Sequence, residues 1–131
     1  MQIQLQIVMI SCIVVDDDRH TTKVFSELLE LLGLQVIGKG FSGSEAVCLY
    51  RQCRPNVIFI DVMMPKTDGV YAIEKIKEFE PDAKIVAVTA DLTLETHAQL
   101  KKMNITAVIC KPFSQHEIKQ VLLEQYQINT L

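Results

Sequence analysis

The sequence predicts a doubly wound α/β fold, a five-stranded parallel sheet wrapped by five helices. Three observations predict it. Five short apolar runs recur along the 131 residues, and most do not alternate polar with apolar, as expected of strands buried on both faces. Amphipathic stretches with helical spacing lie between them. The residues that end several of the runs are carboxylates, a hydroxyl and a lysine, which suits a sheet that binds its ligand beyond the carboxyl ends of its strands.

Each element has its own justification. The first strand is Cys-Ile-Val-Val at 12–15. In the first helix Val24, Phe25, Leu28, Leu29, Leu31 and Leu32 form one broad apolar face, and Gly33 follows as the C-cap signal. The second strand is 35–40. A short second helix at 44–52 carries Ala46, Val47, Leu49 and Tyr50. The third strand is 56–60. Asp68 suits the N-cap of a third helix with Val70, Ile73 and Ile76 on its apolar face. The fourth strand is 84–89. The fourth helix, 93–103, is more polar, with Leu94, Ala98 and Leu100 as its thin apolar stripe. The fifth strand is 106–110, and Ser114 with Glu117 three residues later reads as a capping box opening a fifth helix to about 127. Pro55 and Pro81 each end the helix before a strand.

The length suits one domain. At 49% hydrophobic and 22% charged residues the chain can build a packed core. A net charge of −3 without a basic patch argues against direct nucleic-acid binding. Residues 1–10 are apolar, but they have no basic lead, no cleavage signal and too little length to span a membrane. No other stretch approaches a spanning length, so the reading is a soluble, cytoplasmic protein without membrane contact. Ile3, Leu5, Ile7 and Met9 alternate with Gln2, Gln4 and Gln6. Residues 1–10 therefore read as an N-terminal extension or a lengthened first strand, 11–127 as the domain, and 128–131 as a C-terminal tail. Cys12, Cys48, Cys53 and Cys110 read as reduced, mostly buried thiols; the Cys48–Cys53 spacing matches no common zinc motif.

The strand ends carry the chemistry. Asp16 and Asp17 follow the first strand, Asp61 the third, Thr89 the fourth and Lys111 the fifth. Three carboxylates in one pocket repel, and a hard divalent cation relieves that repulsion; Mg²⁺ favours a few carboxylates, waters and a phosphate. A lysine and a hydroxyl beside one aspartate suit phosphoryl transfer onto that carboxylate.

The motifs Val-Val-Asp-Asp-Asp (14–18), Phe-Ile-Asp-Val-Met-Met-Pro-Lys-Thr-Asp-Gly (59–69), Val-Thr-Ala (88–90) and Cys-Lys-Pro-Phe (110–113) resemble the receiver domains of two-component response regulators. The resemblance runs from about Ser11 to Gln127. It implies a flavodoxin-like strand order of 2-1-3-4-5. It implies that Asp61 accepts a phosphoryl group from a phosphohistidine of a sensor histidine kinase or phosphotransfer protein. It also implies that Mg²⁺ is ligated by Asp17, Asp61 and the Met63 carbonyl, with Asp16 acting through water. Thr89 and Lys111 would contact the phosphoryl oxygens, and Pro112 would follow a cis peptide bond. Signalling would then run through phosphorylation-dependent protein–protein contacts, in a monomer or a phosphorylation-dependent dimer, without enzymatic turnover of a substrate.

Other residues read more plainly. Asp18 suits the positive end of the first helix. His20, His97 and His116 read as surface residues, Phe113 as core, and Met63 and Met64 as apolar loop packing. Val108 stands three residues before the lysine, where many receivers carry an aromatic residue that swings inward, so an aromatic switch is not expected. Met63 and Asp91 lie where receivers tune hydrolysis. Two other functions are in contention. A phosphatase of the haloacid-dehalogenase type needs a second aspartate two residues after the nucleophile, where this chain has Met63. A degenerate receiver acting as a scaffold would not need the full Asp16, Asp17, Asp61, Thr89 and Lys111 set. The sequence reads as a stand-alone receiver or a fragment of a larger regulator.

Overall fold

The structure, a computed structural model, describes residues 9–64, 69–90 and 93–131. Residues 1–8, and the positions of Asp68 and Asp91, lie outside the described residues. The elements alternate strictly: β1 (Ser11–Val15), α1 (Arg19–Leu31), β2 (Gln35–Gly40), α2 (Gly43–Cys53), β3 (Val57–Asp61), α3 (Gly69–Phe79), β4 (Ile85–Thr89), α4 (Leu94–Lys102), β5 (Val108–Cys110) and α5 (Gln115–Tyr126). The strands are parallel in the order β2-β1-β3-β4-β5, as the family resemblance implies.

Continuous apolar strands split the core into two layers. Ile13, Val15, Ile58, Ile60, Ile85 and Ala87 face one side, against Ala46 and Tyr50 of α2, Ala72, Ile73 and Ile76 of α3, and Leu100 of α4. Cys12, Val14, Val57, Phe59, Val86 and Val88 face the other, against Phe25 and Leu29 of α1 and Ile118 and Leu122 of α5. Alternate residues of one strand thus serve opposite layers. Each large side chain removed from water contributes about 1.5–3 kcal/mol, so this double burial makes β1, β3 and β4 the rigid part of the molecule.

Several boundaries and faces differ from expectation. The fifth strand is only Val108–Cys110; Thr106 lies outside it, and its hydroxyl donates to Gln125 Oε1 at 2.6 Å. The Tyr126 hydroxyl covers the lower end of β4, donating to Ile85 O at 2.6 Å and accepting from Ile85 N at 3.0 Å. Val24 and Leu31 of α1 face solvent, Leu31 at 70% exposure, because the sheet covers only the Phe25–Leu29–Leu32 stripe. Leu94 and Ala98 of α4 are likewise exposed; the buried residues of that helix are Thr96 and Leu100. Cys48 is exposed and Cys53 and Cys110 are half-buried, so only Cys12 is fully buried among the cysteines. Burial, and then the Glu30 charge, push the Cys12 thiol up to about 12, which makes it an unreactive core residue.

Gly33 closes α1 as expected, at φ +92°, a conformation that costs a side-chain-bearing residue free energy. The chain after α5 returns to this corner: Ile128 is buried, and Leu131 N donates to Leu32 O at 2.9 Å. Among the described residues, no helix is long and apolar enough to cross a membrane.

Candidate phosphoacceptor and metal site

β1 and β3 are neighbours and run in the same direction, so their ends bring the acidic residues to one rim. Asp16 and Asp61 are buried at 4% and 5% exposure, while Asp17 is exposed. One carboxylate oxygen from each of Asp16, Asp17 and Asp61 lies within 4.8 Å of the other two. Burial of unpaired carboxylates is costly, and both buried ones are held by the same device. Asp16 Oδ1 accepts the N–H of Asp18 at 2.9 Å, and Asp61 Oδ1 accepts the N–H of Met63 at 3.0 Å. Each carboxylate thus folds back on the backbone two residues on, and its second oxygen remains for Lys111.

Lys111 Nζ reaches across the rim from β5. It lies 2.6 Å from Asp16 Oδ2 and 3.1 Å from Asp61 Oδ2. Its backbone N–H donates to Thr89 O at 2.9 Å, and the peptide bond to Pro112 is cis. Burial alone would lower the lysine's pKa, but the hydrogen bond to Asp16 and the Asp61 charge outweigh it and the net direction is upward. Burial pushes the Asp61 carboxyl up, and the Asp16 charge adds to this, against the opposing pull of the Met63 N–H and Lys111. One ammonium against three carboxylates leaves the rim negative. The donor set of two held carboxylates and one exposed one, all oxygen, fits a hard divalent cation.

The remaining residues sort clearly. Thr89 is buried at the end of β4, on the same rim. Met63 places its N–H on Asp61, but its side chain is 56% exposed, so it does not pack as expected; Met64 does. Asp18 is more than surface charge: its Oδ1 caps α1 by accepting from His20 N at 2.9 Å and Thr21 N at 3.1 Å. The Thr21 bond above all, with that to His20, holds its carboxyl below the usual range against the opposing desolvation. His20, His97 and His116 are exposed, as expected. Phe113 is half-buried and stands edge-on to Phe25, ring centres 4.5 Å apart. Val108 is half-buried against the layer that holds Leu100.

Sequence reasoning missed two contributors. A Cβ on Gly69, the first residue of α3, would lie 2.3 Å from Asp61 O and 2.8 Å from Val62 Cα. α3 can start beneath the Asp61 backbone only because that residue has no side chain. The signal was present as the glycine closing the 59–69 motif. The second is Glu117, whose carboxylate accepts the Cys110 N–H at 2.7 Å. The expected capping box is therefore half made: Ser114 Oγ accepts from Glu117 N at 3.2 Å, while the Glu117 side chain turns to the strand.

The response regulator receiver domain family matches residues 12–123. The chain belongs to that family. A chemotaxis protein CheY of Thermotoga maritima is 27% identical over 110 residues, covering 84% of this chain and 92% of the relative. A probable C4-dicarboxylate response regulator DctR of Halalkalibacterium halodurans is 30% identical over 117 residues, covering 88% of this chain. This chain spans about half the length of that relative, 51%. Among solved structures, CheY in a CheX–CheY–BeF₃–Mg²⁺ complex of Borrelia burgdorferi superposes with a TM-score of 0.82 at 23% identity, covering 87% of each chain. CheY4 of Vibrio cholerae gives 0.81 at 24%, covering 88% of this chain and 97% of that one. These two structures show the receiver's shared fold.

Proposed function

We propose that this receiver is a phosphoacceptor, that Asp61 is the residue phosphorylated, and that the donor is a phosphohistidine of a sensor histidine kinase or phosphotransfer protein. The observation that carries the reading is Lys111 Nζ bridging Asp16 and Asp61, with all three carboxylates on one rim. An Asp61 oxygen attacks phosphorus, the phosphorus–nitrogen bond breaks, and its electron pair returns to the imidazole, which takes a proton. Asp16, Asp17, Asp61 and the Met63 carbonyl would hold Mg²⁺, which when bound would neutralise charge on the carboxylates and the phosphoryl oxygens. Lys111 supplies a fixed positive charge for the transferred oxygens, and the Thr89 hydroxyl a donor. The chain's own fixed groups do the rest: the Asp18 and Met63 N–H groups aim the carboxylates, and Gly69 lets α3 start beneath Asp61.

The proposed output is a phosphorylation-dependent change in protein–protein contacts of a cytoplasmic signalling domain, without turnover of a substrate. The unit that does this is 11–127, and the α4–β5–α5 face is its output surface. Incubation with acetyl phosphate and Mg²⁺, followed by intact-mass measurement, tests the chemistry. The expected result is one added phosphoryl group on the wild type and none on Asp61→Asn. An equal gain on both would move the acceptor elsewhere.

A further inference from the structure

β5 is an edge strand, and its N–H groups point alternately towards β4 and away from it. The Lys111 N–H takes the inward direction, to Thr89 O at 2.9 Å. The Cys110 N–H therefore points outward, where an edge strand offers donors to solvent or to another chain. Here it is taken by Glu117 Oε1 at 2.7 Å, a charge-assisted bond from a half-buried side chain.

The other helix with the same start behaves differently. At α2, Glu45 turns back on its own N-terminus, accepting from Phe41 N at 2.9 Å and lying 3.3 Å from the Ser42 hydroxyl. Glu117 has the same spacing to its serine, and Ser114 Oγ holds its backbone at 3.2 Å, yet its carboxylate leaves the helix and grips the strand. A closed ring results, running from Cys110 to Glu117 with Lys111, Pro112 and Phe113 inside it. The Phe113 ring is seated on Phe25 at 4.5 Å. The Lys111 main chain is thus tied on its inner side by Thr89 and, one residue earlier, on its outer side by Glu117. Lysine has four rotatable side-chain bonds, and only a fixed main chain lets its Nζ settle 2.6 Å from one carboxylate and 3.1 Å from another.

We propose that Glu117 is a positioning residue: by gripping the Cys110 N–H it holds Lys111 over Asp16 and Asp61 for phosphoryl transfer. The inference rests on the phosphoacceptor reading for its chemistry, and on geometry alone for the coupling of Glu117 to Lys111. Both are measured together on the whole chain, as wild type, Glu117→Ala, Glu117→Gln, Lys111→Met and Glu117→Ala/Lys111→Met. With acetyl phosphate and Mg²⁺, Glu117→Ala lowers the maximal rate of Asp61 phosphorylation about tenfold, since small misplacements of a positioned group cost this much or more. Glu117→Gln stays within about twofold of wild type, because its amide oxygen accepts the same N–H. In the Lys111→Met background, Glu117→Ala has no further effect on the rate.

A wild-type rate in Glu117→Ala overturns the proposal, as does an equal slowing with and without Lys111. Denaturant unfolding of the same five proteins separates this from the phosphoacceptor reading. Glu117 and Lys111 are expected to be non-additive by a factor of about five in the folding equilibrium, as for residues acting through one structural unit. If the wild type takes no phosphoryl group but the pair is non-additive, the phosphoacceptor reading fails and the positioning stands. If the pair is additive, the positioning role falls.

Discussion

Asp16 and Asp61 end strands in which nearly every residue is buried, β1 with only Ser11 half-exposed and β3 with none. The opposite side of the rim is built from β5, three residues of which one is buried, and from α4, which buries Thr96 and Leu100 while Leu94 stands 87% exposed. The two sides differ in the free energy needed to displace them. On the β1–β3 side a shift of the carboxylates disturbs two apolar layers at once. On the β5–α4 side, α4 is held by its buried Thr96 and Leu100, its Thr93 cap and the Lys77 ammonium, which bonds Met103 O just past its C-terminal end at 2.9 Å. Regions with few buried contacts open at low free energy. The molecule thus combines a fixed charge cluster with a neighbouring helix held by fewer buried side chains.

The largest test of the rigid side is Gly69→Ala. The added methyl would meet Asp61 O at 2.3 Å and Val62 Cα at 2.8 Å, and both of those atoms are backbone that cannot swing aside. Overpacking of this kind costs about 3 kcal/mol, read as a fall in the denaturant midpoint, and it displaces the Asp61 main chain. Leu94→Ala on the other side removes an exposed side chain and is expected within about 0.5 kcal/mol of wild type. Equal losses in the two variants would end the distinction between the sides.

The second test uses the charge that the rigid side stores. Asp61→Asn keeps the oxygen that accepts the Met63 N–H and removes a charge beside Asp16, so the metal-free protein should melt about 3 °C higher at neutral pH. The sign follows from the pKa. Burial first, then Asp16, raise the Asp61 carboxyl above its unfolded value, so its ionisation opposes folding. That opposition develops as pH rises from the unfolded value to the folded one. The advantage of Asp61→Asn is therefore full at neutral pH and vanishes on acidification below the carboxylate range. Lys111, raised by Asp16 and Asp61, stabilises the fold while those carboxylates are ionised and loses its share as pH rises through its own raised value. Mg²⁺ in the millimolar range should raise the wild-type melting temperature and act less on Asp61→Asn. A wild-type curve indifferent to Mg²⁺ removes the metal from the proposed function.

Legibility in the sequence follows the same division. The charged strand-end residues could be read because each follows an apolar run and no core tolerates an unpaired charge. The strand count and connectivity could be read because buried parallel strands have an unmistakable composition. Helix faces were less legible. Periodicity gives the angle of a stripe but not how much of it the sheet covers, which is why Val24, Leu31, Leu94 and Ala98 face water. Gly33 announced the end of α1, whereas Arg54 and Gln127 adopt left-handed conformations, φ 43° and 54°, that nothing in their type predicts. Glu117 was legible as a cap and invisible as a strand partner, because its choice depends on an edge N–H that only the fold brings near.

The link between the two sides is tested by Thr89→Ala, at the end of β4, and Val108→Ala, in β5. Valine is stiff at χ1 and too short to swing between two sites. The coupling should therefore run through the Thr89 main chain, drawn by the hydroxyl once the acceptor carries its group. Val108→Ala should cost about 1 kcal/mol, as a small cavity beside a half-buried residue. Hydrogen exchange of α4 and β5 amides, with and without beryllofluoride and Mg²⁺, reads the coupling. The expected outcome is a change preserved in Val108→Ala and lost in Thr89→Ala. The reverse pattern would put the switch on Val108.

The smallest effect lies on the rigid side. Among the described residues, the Ser26 hydroxyl of α1 is buried and has no hydrogen-bond partner. Its neighbour one turn earlier, Thr22, shows what a satisfied hydroxyl does in that helix: its Oγ1 donates to Asp16 O at 3.1 Å and to Asp18 O at 3.0 Å. Desolvating a hydroxyl without a partner works against folding, and alanine removes that cost along with one small atom. The void left is about that of a single oxygen, and alanine is the better helix former. Ser26→Ala is therefore expected to raise the denaturant midpoint by up to about 1 kcal/mol of stability, whereas Thr22→Ala lowers it by about as much. Both variants keep Asp61, Lys111 and Glu117, so phosphorylation from acetyl phosphate tells whether the Thr22 bond to Asp16 O also matters to the site. A loss of stability in Ser26→Ala would mean that the hydroxyl holds a bound water, and that this part of the rigid side is hydrated.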